Sequence, residues 1–125
     1  MVLKLSAQQQ SQLAFLQLLP PKFHRIRAVI ESMSNPKADE NAVRGMIRVL
    51  DEMKAGASQL KISRLAESLG AMGAMARQGG GMQVKVRGLR DLMGSVHSNW
   101  DAAVKKASVP EAHVEQDSSG DAPAQ

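Results

Sequence analysis

Apolar residues recur along this chain at alternating intervals of three and four, the signature of helices that each bury one face. The first stripe is Leu16, Leu19, Phe23, Ile26, Ile30 and Met33. A second runs through Val43, Met46, Leu50, Met53, Ala57 and Leu60, and a third through Ile62, Leu65, Leu69, Met72 and Ala76. The fourth is Val86, Leu89, Met93, Val96, Trp100, Ala103 and Ala107. Punctuation between the stripes is clear. Ser34-Asn35-Pro36 stops the first helix, Asp39 is placed to cap the second, and Gln78-Gly79-Gly80-Gly81 forms a loop before the fourth. Pro20 and Pro21 interrupt the first stripe, so that helix is expected either to kink or to break, with a proline in the first turn of the new segment.

Four amphipathic helices with short connections predict an all-α fold, an antiparallel up-down four-helix bundle. The expected organisation is an N-terminal arm over 1–11, a helical bundle over 12–109 and a disordered acidic tail over 110–125, which is rich in Ser, Gly, Asp, Pro, Ala and Gln. A chain of 125 residues is long enough for one such domain. The absence of cysteine excludes disulfides and thiolate metal sites. No apolar run approaches the ~20 residues that span a bilayer. The N-terminus lacks the apolar centre of a secretory signal, so a soluble cytoplasmic protein is expected.

Charge changes the picture more than composition does. The net charge of +4 is the balance of two unequal parts. Residues 1–109 hold all 16 Lys and Arg and 8 of the 12 Asp and Glu, whereas 110–125 hold the other four acids and no base. A basic body calls for an acidic partner, either nucleic acid or an acidic protein pocket, or is simply a well-solvated helical surface.

The most informative stretch is 51–66, with Asp51, Lys54, the small run Ala55-Gly56-Ala57-Ser58, then Leu60, Lys61 and Arg64-Leu65-Ala66. It resembles the centre of a histidine-containing phosphotransfer domain, the four-helix module that relays phosphoryl groups in two-component signalling. In that family a histidine stands three residues before a lysine, small residues follow, and a leucine-rich segment opens the next helix. Lys54 fits the lysine, and Asp51 stands where the histidine would be. The Phe15 to Pro20 run is similar to the family's first long helix. The resemblance therefore implies a degenerate member without its phospho-acceptor. Its implied partner is a response-regulator receiver domain or a histidine kinase, bound through Asp51, Lys54, Ala55, Gly56, Ser58, Lys61 and Arg64. Neutral imidazole is a nucleophile near pH 7, whereas an exposed aspartate is ionised and a poor one.

Two alternatives stay open. The first is an active relay through His24 or His97, of which His24 has Arg27 three residues on; the third histidine, His113, lies in the tail. The second is a basic helical protein for nucleic acid or structural assembly, with Lys85, Arg87 and Arg90 on one helix but no aromatic interleaving or recognition motif. The triple glycine lacks the preceding strand and following Gly-Lys-Ser/Thr of a phosphate loop. Asp51 and Glu52 point to different faces, and no acid, base and nucleophile group is evident. Neither an enzyme, a cofactor nor a metal is expected. The internal methionines read mainly as core filler, with Met75 and Met82 free to join a contact surface. Of the glycines near helices, Gly56 is the one expected to leave backbone room for a partner.

Overall fold

The proline pair divides the first stripe into two helices. In the computed structural model, which describes residues 4–35, 37 and 39–110, these are α1 (Ala7–Gln17) and α2 (Leu19–Ser32). They are followed by α3 (Glu40–Gln59), α4 (Ser63–Arg77) and α5 (Met82–Ala107), and the described residues contain no strand. Both prolines sit in the first turn of α2, where a missing N–H is least felt. Helix α1 starts at Ala7, inside the stretch expected to be an arm. Ser6 and Gln9 form a reciprocal capping box there, each side chain accepting from the other's backbone N–H at 3.0 Å.

Together α1 and α2 make one rod, and α3, α4 and α5 the other three. Gln12 donates to Leu60 C=O and Phe15 abuts Gly56, so α1 meets the C-terminal end of α3. Asp51 pairs with Arg77 while Lys54 lies against Gly70, which makes α3 and α4 antiparallel. Asn99 reaches Arg64 and Gly88 faces Met75, an antiparallel α4–α5 register. Glu31 pairs with Arg90 and Trp100 reaches Leu16, so α5 returns along the first rod. The helices therefore pack as a four-cornered bundle.

All six positions of the first stripe are buried, as are all five of the third. The second buries Met46, Leu50, Met53 and Ala57, and the fourth Val86, Leu89, Met93, Val96 and Ala107, while Val43, Leu60, Trp100 and Ala103 are half-buried against the core. Each fully buried Leu, Ile or Phe favours folding by about 1.5–3 kcal/mol relative to exposure. Of the tail expected over 110–125, Pro110 is described and 111–125 lie outside the described residues.

The α3–α4 turn sets the position of the candidate site. Ile62 N–H donates to Ala57 C=O at 2.8 Å and Lys61 N–H to Ser58 C=O at 3.1 Å. This is a Schellman closure, which requires a left-handed residue between helix and turn. Here that residue is Lys61, with φ of 63°. Glycine is the usual occupant, so the chain carries a cation at a position where a side chain costs roughly 1 kcal/mol.

Candidate functional site

Helix α3 turns Met46, Leu50, Met53 and Ala57 inward. One helical turn is 3.6 residues, so Asp51, Lys54 and Ser58 fall together on the flank beside α4. All three are exposed. Helix α4 meets this flank with glycine: a β-carbon at Gly70 would stand 3.3 Å from Lys54 Cε and 3.5 Å from its Nζ. One turn on, a β-carbon at Gly73 would lie 3.2 Å from Arg77 Nη1 and 3.7 Å from Asp51 Oδ1. The glycines thus form a low floor on which Lys54, Asp51 and Arg77 lie. Arg77 donates to Asp51 Oδ2, and each side chain is 51% exposed. The ion pair is half-solvated, so it contributes little to stability, but it occupies the Asp51 carboxylate.

Arg77 is a member of this site that the sequence pattern does not reveal. It is 26 residues from Asp51, and only the antiparallel register of α3 on α4 brings the two together. The spacing of Gly70, Gly73 and Arg77 along one face of α4 was the available signal.

The other expected site residues diverge. Ala55 points outward, away from the core. Gly56 turns the opposite way from Asp51, toward α1, and the room it leaves is filled by Phe15: a β-carbon there would be 2.4 Å from Phe15 Cε1. Its glycine therefore serves packing inside the chain rather than approach by a partner. Lys61 and Arg64 lie beyond the end of α3. They line a cleft of about 570 Å³ bounded also by Gln8, Gln12 and Lys106. Expected residues thus occupy two neighbouring places, a flank along α3–α4 and a cleft at the bundle end.

The histidines lie elsewhere. His24 is exposed on α2, and His97 is exposed on α5 with its ring 5.6 Å from that of Trp100. His113 is outside the described residues. Arg90 of the basic α5 face forms a two-pronged pair with Glu31, at 2.8 and 2.7 Å. That contact holds the Glu31 carboxyl below its ordinary range and raises Arg90, so Arg90 is engaged within the bundle. Met75 is half-buried against Gly88, while Met82 stays exposed. Among the described residues no group of three or more His, Cys, Asp or Glu could hold a metal ion, and no helix is long and apolar enough to cross a membrane.

An ionised carboxylate paired with a guanidinium accepts hydrogen bonds and has little nucleophilic reach. The flank therefore offers recognition: two exposed cations, a half-neutralised carboxylate and a hydroxyl on rigid helices. No protein family, no curated protein and no solved structure matches the chain.

Proposed function

We propose that the chain is a pseudo-phosphotransfer module of two-component signalling, HPt-like in fold, that docks a receiver domain in the cytoplasm without carrying phosphate. A histidine kinase is the other partner of this class. The observation that carries the reading is the exposed Asp51–Lys54 pair on the middle of α3. Those residues stand where the resemblance implies a histidine and its lysine. Pairing with Arg77 favours docking over mimicry of phosphohistidine, because it offsets the single negative charge that Asp51 would present. Lys54 and Arg77 lie on the α3–α4 flank, and Lys61 and Arg64 lie beyond the end of α3 in the neighbouring cleft. Such a basic surface complements the acidic active-site pocket of a receiver, and complementarity of this kind governs encounter and orientation. Bound there, the module blocks or scaffolds a true relay protein.

The test is binding and phosphotransfer with receiver domains from the same cell. Wild type is expected to bind one receiver and take no label from its phosphorylated form. Lys54→Glu is expected to weaken binding by about tenfold or more, as loss of a close charge contact does. Arg25→Glu, in the α2–α3 groove away from the α3–α4 flank, is expected to leave affinity nearly unchanged. Asp51→His restores an imidazole three residues before Lys54 and is expected to accept label. Label on wild type overturns the proposal in favour of His24 or His97. Equal weakening by every charge reversal, with steep loss in salt, points instead to a polyanion such as nucleic acid.

A further inference from the structure

The cleft at the bundle end gathers three cations. It is lined by Lys61, Arg64 and Lys106 and by no carboxylate, whereas the groove between α2 and α5 contains the Glu31–Arg90 pair. Helix α4 begins at this cleft, and its N-cap, Ile62, supplies no side-chain cap, so the positive end of the helix adds to the three cations. Holding Lys61 in the left-handed region keeps one of those cations at the rim.

The same cleft lies where the described residues end. Gln9, which lines it, donates its side-chain amide to the Val109 and Lys106 carbonyls, tying the last turn of α5 to α1. The chain leaves this point at Pro110. Residues 111–125 then carry Glu111, Glu115, Asp117 and Asp121 and no lysine or arginine. We propose that the cleft is the docking site of this acidic segment, whose carboxylates engage Lys61, Arg64 and Lys106. Length alone does not select the cleft: fifteen residues extend to roughly 50 Å, and α5 itself is about 39 Å long. Proximity does. A tethered segment has its highest local concentration near its point of attachment, on the order of millimolar. The groove with Arg25 and Arg48, the basic alternative, lies between α2 and the N-terminal half of α3, away from the end where the segment is attached.

On the receiver reading, and on that reading only, the segment competes with the partner for Lys61 and Arg64. The docking itself is tested without any partner, so the two stand or fail separately. The chain has no cysteine, and Ala122→Cys therefore gives a unique spin-label site that leaves the bundle untouched. At low salt the label is expected to broaden the amide signals of Ser63, Arg64, Leu65 and Lys106 to roughly half intensity or less. Signals should return at about 0.5 M NaCl, where surface charges are screened. They should also return in a full-length variant carrying Glu111→Gln, Glu115→Gln, Asp117→Asn and Asp121→Asn. Broadening spread evenly over the bundle, centred on Arg25 and Arg48, or unchanged by neutralising the four acids would overturn the proposal.

Discussion

A β-carbon at Gly56 would stand 2.4 Å from Phe15 Cε1 and 3.0 Å from Cζ, inside the separation that real side chains tolerate. Glycine in a helix interior costs about 1 kcal/mol relative to alanine, and overpacking a fitted contact costs about 1–3 kcal/mol. The second effect wins where the neighbour is an aromatic ring held between two helices. Gly56→Ala is therefore expected to destabilise by up to roughly 2 kcal/mol. Gly45 and Gly94 provide the comparison, since a β-carbon at either meets nothing within 4 Å. Gly45→Ala and Gly94→Ala are each expected to stabilise by about 0.5–1 kcal/mol. Urea unfolding of the three variants, with an unchanged slope, decides the matter: stabilisation by Gly56→Ala would mean that Phe15 moves aside freely. The sequence could not separate these glycines. All lie within helical periodicity, and only the packing of α1 on α3 tells which one has a ring above it.

At the scale of helices, the break between α1 and α2 shows how a local defect is repaired at a distance. The Leu16 carbonyl would normally accept from the N–H four residues on, and that residue is Pro20, which has none. Trp100 Nε1–H from α5 donates to Leu16 C=O instead, at 2.8 Å, while its ring meets Phe23 edge-on at 6.0 Å. Trp100→Phe keeps the ring contact and removes the donor, leaving the carbonyl of a fully buried residue without its partner. The expected cost is about 1–3 kcal/mol. Pro20→Ala restores an N–H at the break, so in that background the same change is expected to cost less, with a coupling of roughly 0.5 kcal/mol or more. Circular dichroism is the suitable probe, because Trp100 is the only tryptophan. Additive losses would show that the carbonyl finds water when Trp100 is replaced. The helices themselves were largely legible, since all four stripes are the sides that face the core. What was not legible is what depends on register between helices, the Trp100 repair and the Asp51–Arg77 pair, whereas the Ser6–Gln9 box that starts α1 is a local Ser-x-x-Gln signal present in the sequence. Intervals of three and four identify a face but not the face opposite it.

Over the whole molecule, charge is arranged so that neighbouring rods are pinned along their outer edges. Glu31–Arg90 joins α2 to α5, and Asp51–Arg77 joins α3 to α4. A basic body depends on its few carboxylates to offset repulsion, so acid should loosen it. Glu31 gives that expectation a sign. Its carboxyl is held down chiefly by the hydrogen bonds from Arg90; desolvation opposes them, and that residue's charge adds a smaller lowering. A carboxyl with a lowered folded-state pKa binds its proton more readily in the unfolded chain. Its stabilising effect is therefore complete above the ordinary glutamate value of about 4.3 and is lost as pH falls through the lowered one. Glu31→Gln should accordingly melt below wild type at neutral pH. The gap should hold its size down to about pH 5 and close by about pH 2, where both proteins carry an uncharged side chain at this position. Both partners are more than half exposed, so the gap should also shrink in high salt. A gap that persists in acid would mean that the carboxylate charge is irrelevant and that the shape of the side chain is what matters. One that closes already near neutrality would place the proton on Glu31 far above the range that its contact with Arg90 allows.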